Sequence, residues 1–437
     1  MNANCANYHT PQSPSLSSAL TGTSSQAEEE FSSSILEELG NSPSCDDCDA
    51  MARALSSGSG YINVGGAGTA MRFLAAYFAM QEGREVVLDG DERMRQRPIG
   101  PLVDALRQMG AKIDYVGDEG FPPLHIVGQR LSGGEISVKG DVSSQYISAL
   151  LMIAPLAGGM TLHIEREPVS RPYIDMTLGL MRHYGIDARW HSLSSALTGT
   201  SSQAEEEQGN SPSKIEGVGE SMIKKQIIVV PEGQYVAAPL TIEGDWSAAS
   251  YWFALQALLP QSAITLKSLS SNSLQGDSII VELMKPLGVK AVMAGDELRL
   301  SASGIPVVKK YDCDMKQWPD LVPTMAVTLC LLDVPFTLRG LRTLAIKESN
   351  RAAVLCGELA KLGYVLEHDS DSITYSGMHC EPQPHPRIDP HGDHRMAMAM
   401  ALAATRHPGL VICDAQVVTK SYPQFWQHFN QCIMQNA

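Results

Sequence analysis

Positive charge that could do chemistry is gathered into a few short motifs. DERMRQRPIG holds Arg93, Arg95 and Arg97, and GTAMR ends in Arg72. IKESNR supplies Lys347, Glu348 and Arg351, GDHRMAM supplies Asp393, His394 and Arg395, and Lys420 sits in VVTKSYP. Arginine grips phosphate and carboxylate through a planar fork, whereas lysine acts as a compact charge. For any one of these residues the ordinary role is a solvated face. The mixture of acids and bases beside apolar helices, at QWPDLVPTMAV and IKESNR, points instead to an anion site with acid–base groups at hand. No Walker-type phosphate loop and no GxSxG nucleophile elbow is present. His391-x-x-His394 lacks a third ligand at a recognised spacing, so a structural role is expected for it. Cys45-x-x-Cys48 has no second pair at zinc-ribbon spacing and reads as two ordinary thiols.

Helix starts must aim such groups. GDVSSQYISALLMIAPLA begins at Gly140 and GDWSAASYWFALQALLP at Gly244, with looser relatives at Gly65 and Gly392. Each places small polar residues where an apolar helix begins. One copy is ordinary N-capping, but several in a repeated scaffold can turn free N–H groups and helix dipoles towards a common cleft.

A second pattern supplies that scaffold. LVDALRQMGAKIDYV, TLGLMRHYGIDARW, IIVELMKPLGVKAVM and LCGELAKLGYVLE each read as helix, glycine, strand. Gly110 and Gly185 are 75 residues apart, as are Gly288 and Gly363. Glycine is expected there because the helix ends in a left-handed residue. Equal spacing implies a repeated architecture. The interval from Gly185 to Gly288 is 103, an excess of 28, which matches an insertion at about 191–224 that lengthens the hairpin between IDARW and QIIVVPEG.

The totals set limits. A chain of 437 residues exceeds one ordinary core, so two domains are expected, and 44% hydrophobic with 19% charged residues reads as soluble and globular. No apolar run is long enough for a transmembrane helix, and the N-terminus has no signal-peptide pattern. Nine cysteines spread singly suit a reducing cytoplasm. A net charge of −15 argues against a broad nucleic-acid surface but leaves room for locally gathered cations.

Together these stretches resemble the EPSP synthase branch of the enolpyruvyl transferase family. AGTAMR, RMRQRPIG, GDVSSQYISALLMIAPLA, VSRPYIDMTL, GDWSAAS, WPDLVPTMAV, IKESNR, GDHRMAMAMA and TKSYP occur in family order from about residue 45 onwards. The resemblance implies an α/β (α+β) fold, a two-domain inside-out α/β barrel with βαβαββ units repeated three times per domain. It places an N-terminal lobe at 15–236 and a C-terminal lobe at 237–437, to which residues 1–14 could be joined, with the active site between them. The implied reaction moves the enolpyruvyl group of phosphoenolpyruvate to the 5-hydroxyl of shikimate 3-phosphate, a step of chorismate and aromatic amino acid biosynthesis. No metal or organic cofactor is implied. Carried over motif by motif, Ser143, Ser144 and Ser170 hold the shikimate phosphate, and Gln145 bridges both substrates. Gly68, Arg93, Arg351, Arg395 and Lys420 hold phosphoenolpyruvate. Asp320 is the candidate base, with Lys347 beside it on the shikimate side, and Glu348 is the candidate proton donor to carbon. A cytoplasmic monomer without nucleic-acid or membrane partners is expected. The alternatives are an inactive ligand-binding relative and transfer to UDP-N-acetylglucosamine. The motifs GDVSSQYISALL and VSRPYIDMT fit the shikimate branch better than that last one.

The resemblance breaks at one place. The family carries a Lys-Ser-x-x-x-Arg element near the N-terminus that contacts both substrates. Counting back from Ile35 places it within about 26–34, which reads QAEEEFSSS, and no Lys or Arg precedes Arg53. That stretch ends the first copy of SLSSALTGTSSQAEEE, Ser15–Glu30, repeated letter for letter at Ser192–Glu207. So close an identity implies a recent duplication, a graft or a sequence artefact, and its first copy puts Glu28, Glu29 and Glu30 where two cations belong. Gly66 and Thr343 are milder departures.

Overall fold

The computed structural model describes residues 45–192, 226–295 and 297–436. Helix α1 (Asp46–Ser56) leads into β1 (Tyr61–Asn63), α2 (Gly68–Met80), β2 (Glu85–Asp89), α3 (Gly100–Gln108), β3 (Lys112–Tyr115) and β4 (Leu124–Val127). Their sheet has the order β1-β2-β4-β3, with β1 parallel to β2 and the rest antiparallel. The pattern repeats in β5 (Gly134–Lys139), α4 (Ser144–Ile153), β6 (Met160–Glu165), α5 (Arg171–His183), β7 (Arg189–Ser192) and β8 (Gln226–Val230), ordered β5-β6-β8-β7.

After α6 (Trp246–Leu258) come β9 (Ile264–Lys267), α7 (Ile280–Met284), β10 (Val289–Ala294) and β11 (Glu297–Ala302). Their sheet, β10-β11-β9, is the same plan without its first strand. The full plan returns in β12 (Tyr311–Asp314), α8 (Val322–Leu331), β13 (Phe336–Arg339), α9 (Arg351–Lys361), β14 (Tyr364–His368) and β15 (Ser372–His379), ordered β12-β13-β15-β14. A parallel pair, β16 (Arg387–Ile388) and β17 (Val411–Ile412), flanks α10 (His394–Ala401), and α11 (Phe425–Asn436) follows. Among the described residues the repeat is therefore complete three times and abbreviated elsewhere.

The four spaced glycines end their helical segments in the left-handed region, with φ of 96° at Gly110, 88° at Gly185, 84° at Gly288 and 99° at Gly363. Each opens into an antiparallel hairpin. The expected pairing across the insertion is present, with Arg189 opposite Val229 and Ser192 opposite Gln226. The joining stretch 193–225 lies outside the described residues, as do the first SLSS copy and the 26–34 segment.

Helices α4, α6 and α8 lie inside because their sequences are apolar nearly all round. Every residue of α8 is buried, and α6 is buried on nearly every side. Strands such as MTLHIE alternate, one face inward. One hydrophobic core runs from Ala50 to Val230, the other from Trp246 to Cys432. In the latter, Phe425 stacks on Phe429 and meets Tyr251 edge-on. Burial of such side chains contributes about 1.5–3 kcal/mol each. Among the described residues no helix is long and apolar enough to cross a membrane.

Candidate active site

Three of the polar helix starts are capped by their own side chains. Ser143 caps α4 by accepting the Gln145 N–H at 3.3 Å, Asp245 caps α6, and Asp393 caps α10 by accepting from Arg395 N–H at 3.0 Å. The start of α2 has no side-chain cap, which leaves its N–H groups for another acceptor. Gly68 is its first residue. A Cβ there would lie 2.9 Å from the Arg97 guanidinium, so glycine lets an arginine lie against the helix start.

The arginine motif becomes a short 3-10 turn at Met94–Gln96, with Met94 buried and its N–H bonded to Asp91 Oδ1 at 2.7 Å. The turn sends Arg93 and Arg97 inward, while Arg95 faces out to Asp89 at 2.6 Å. Arg93 crosses the seam: its Nε donates to the Glu348 carbonyl at 3.0 Å and its Nη2 to the Lys347 carbonyl at 2.8 Å. Arg97 reaches Glu348 Oε1 at 3.5 Å. Lys420 crosses the other way, donating to the Gly66 carbonyl and pairing with Asp47 at 3.2 Å and Glu348 at 3.9 Å. These groups wall a cavity of about 560 Å³ to which both halves contribute Asp47, Gly66, Arg93, Arg97, Glu348 and Lys420.

Behind the cavity lies Arg351, 1% exposed and engaged at every nitrogen of its fork. Nε donates to Asp393 at 2.8 Å, Nη1 to Asp320 at 2.9 Å and Nη2 to Glu348 at 3.0 Å. Asp320 also meets Arg395 at 3.1 Å and Lys347 at 3.3 Å. Burial alone would raise both carboxyls. For Asp320 the charges of Arg395, Lys347 and Arg351 outweigh it and hold the group well below the usual carboxylate range. For Glu348 those of Arg351, Arg97 and Lys420 do the same. Burial, with Arg395 beside it, pushes His394 down to about 3, so its ring is neutral. His391 lines the cavity, with its Nε2 3.5 Å from Glu358.

The sequence-predicted residues divide into two sets. Arg93, Lys347, Glu348, Arg351, Arg395, Asp320 and Lys420 form one connected network. Gly68 adjoins it through Arg97, and Gln145 reaches Thr69, the next residue of α2, at 2.9 Å. Ser143 and Ser144 lie at the start of α4. Ser170 stands in a left-handed conformation before α5, where its N–H donates to the Lys316 carbonyl across the seam at 3.3 Å. Arg351, expected to clamp a substrate anion, donates here to three carboxylates.

Sequence reasoning singled out Arg97 and Asp393 in their motifs but gave them no role, and it missed Asp47. The i, i+4 spacing of Arg93 and Arg97 across one tight turn was the available signal for the first. Arg72, one turn beyond Gly68, donates to the Gly68 carbonyl at 3.1 Å and the Pro98 carbonyl at 3.2 Å, so it braces the Arg97 loop. The Cys45 and Cys48 thiols are free, with Cys45 capping α1.

Known proteins give the same picture. The sequence family described as EPSP synthase (3-phosphoshikimate 1-carboxyvinyltransferase) matches residues 35–207 and 214–429. A 3-phosphoshikimate 1-carboxyvinyltransferase of Bacteroides fragilis (strain YCH46) is 45% identical over 390 residues, 89% of this chain and 87% of that protein. One from Mannheimia haemolytica is 33% identical over 371 residues, 84% and 78% of the two chains. The solved EPSP synthase from Acinetobacter baumannii has the same fold at a TM-score of 0.60 and 24% identity, covering 86% of this chain and 79% of that one.

Proposed function

The chain belongs to the EPSP synthase (3-phosphoshikimate 1-carboxyvinyltransferase) family, and we propose that it works through the cleft between its two halves. Its reaction transfers the enolpyruvyl group of phosphoenolpyruvate to the 5-hydroxyl of shikimate 3-phosphate and releases phosphate. The observation that carries the assignment of roles is Glu348. Its carboxylate faces Arg97 and Lys420 on the wall of a cavity to which both halves contribute. Arg53, Arg93, Arg97 and Lys420 gather on this wall beside Asp46, Asp47, Asp91 and Glu348, and such locally gathered cations in a chain of net charge −15 suit two anionic substrates.

The addition step needs a proton delivered to the methylene carbon of phosphoenolpyruvate and one removed from the hydroxyl that attacks the neighbouring carbon. Glu348 is held ionised by its cations. A bound phosphate and carboxylate that draw Arg97, Arg93 and Lys420 to themselves leave Glu348 with fewer partners. Its carboxyl then rises, takes a proton and passes it to carbon. Asp320 keeps Arg395, Lys347 and Arg351, stays ionised, and is assigned as acceptor of the hydroxyl proton. Elimination follows when the carbon–oxygen bond to phosphate breaks and the methyl carbon returns a proton. Ser143, Ser144, Ser170 and Gln145 are assigned to shikimate 3-phosphate, and the uncapped start of α2 at Gly68 to phosphoenolpyruvate. The two cores support a division near residue 237. Nine cysteines spread singly through the sequence suit a reducing cytoplasm, where we place the chain as a monomer.

Phosphorus NMR tests the reading. Phosphoenolpyruvate should convert to inorganic phosphate only when shikimate 3-phosphate is added; no conversion by folded protein would leave a non-catalytic ligand-binding relative. The sequence at 26–34 lowers the rate, because one well-placed anion contact contributes about 2–4 kcal/mol to transition-state stabilisation. Grafting a Lys-Ser-x-x-x-Arg element there should raise kcat/KM by about a hundredfold to a thousandfold.

A further inference from the structure

The seam holds another buried carboxylate, outside the cavity lining, that the reaction does not use. Asp277 is 1% exposed, in the short 3-10 helix Gly276–Ile279. Its Oδ1 accepts the Tyr173 hydroxyl at 3.0 Å from α5 of the other half, and its Oδ2 accepts the Ser247 hydroxyl from the first turn of α6. Among the described residues it forms no ion pair. A buried carboxylate without a cation is costly, and two hydroxyl donors only partly offset that cost. Burial, with Asp320 nearby, pushes its carboxyl up to about 6.

The surroundings form a two-sided joint. Pro172 packs on Gly276 so closely that a Cβ there would come within 2.2 Å of the Pro172 Cβ. On the opposite side, Arg171 N–H donates to Gln317 Oε1 at 2.8 Å and Ser170 N–H to the Lys316 carbonyl at 3.3 Å. The first turn of α5 is thus gripped between Gly276–Asp277 and Lys316–Gln317. Ser170 opens that turn, and Asp320 follows Gln317 by three residues. On the C-terminal side the joint is fixed in advance, because Gln275 accepts from Trp246 N–H and donates to the Gly244 carbonyl, each at 2.9 Å.

We propose that Asp277 is a positioning residue for the transfer: by accepting the Tyr173 hydroxyl across the seam it holds the Ser170 turn in register with Asp320 when the halves are together. Separation of the halves gives the carboxylate back to water, so the contact is reversible, and shikimate 3-phosphate bound between Ser170 and Asp320 tightens it. The inference rests on the site assignment above and deepens its shikimate side.

Calorimetric binding of shikimate 3-phosphate tests it without needing turnover. Asp277→Ala should weaken binding about tenfold to a hundredfold, since a hydrogen bond to a charged group is lost. Asp277→Asn, which keeps an acceptor for Tyr173, should restore most of the affinity. Gly276→Ala, which wedges Pro172 away and touches no titratable group, should weaken binding in the same direction. Tyr173→Phe combined with Asp277→Ala should cost less than the sum of the single changes. Folded Asp277→Ala with parental affinity, or additive double-mutant effects, would overturn the joint. A parent that binds no shikimate 3-phosphate would instead overturn the site assignment on which it rests.

Discussion

Around Arg351, Asp320, Glu348 and Asp393 share a buried guanidinium, and Arg97, Lys347, Arg395 and Lys420 close in from outside. Asp277, a carboxylate also deeply buried, has two hydroxyl donors and, among the described residues, no ion-pair partner. The first arrangement keeps carboxylates ionised and cations ready for anionic ligands. The second keeps a carboxylate near the edge of protonation and uses it as an acceptor between the halves. One seam therefore holds a charge-rich site and, at Asp277, a joint whose geometry is held by hydrogen bonds from neutral donors.

The contrast can be broken from either side. Glu348→Gln removes the group that can carry a proton to carbon while keeping its size. It should lower kcat by about 10³-fold with the fold unchanged, read by steady-state phosphate release. Arg351→Ala strands Asp393 in the interior and takes one of several cations from Asp320 and Glu348, so it should cost about 3–5 kcal/mol of stability in urea unfolding. An effect below about 1 kcal/mol would mean that the network is solvated and that the charge-rich site is not built as described.

A third change separates the two by pH. Asp277 has its folded pKa raised to about 6 from 3.8. Its contribution is therefore present in full below the unfolded value and is lost as pH rises through about 6. Asp320 and Glu348 are shifted the other way: their contribution is present above their unfolded values and fades as pH falls towards their lower folded ones. Asp277→Asn should remove a stabilising slope between pH 6 and 4 worth on the order of 2–3 kcal/mol, seen in unfolding curves across that window. The smallest effect expected is that of Gly68→Ala. Its Cβ presses on the far end of the flexible Arg97 side chain, so KM for phosphoenolpyruvate should rise only about threefold to tenfold with little change in stability.

Much of this was legible in the sequence where a local rule acts alone. The spaced glycines had to be left-handed helix ends, and the hairpin strands around the insertion had to pair, because both follow from chain geometry. Clustered motifs also found the members of the charge network. What escaped depends on packing between segments far apart in the chain. Arg95 and Arg97 look alike in RMRQRPIG, and only the tight turn plugged by Met94 decides which faces the site. Arg351 reads as an anion clamp from its motif, and nothing local shows that Asp393 and Asp320 fold around it. Asp277 in LQGDS carries no signal at all, since its burial is made by α5, about 100 residues earlier in the chain.

The central claim is that Glu348 delivers a proton to the methylene carbon inside this seam. The direct measurement is the reaction run in deuterium oxide, with the vinyl group of the product examined by NMR. A carbon that is protonated and later deprotonated exchanges with the solvent. The account predicts deuterium in the vinyl group of the parent's product, dependent on shikimate 3-phosphate, and its loss together with turnover in Glu348→Gln. Product whose vinyl group keeps both original protons would contradict it.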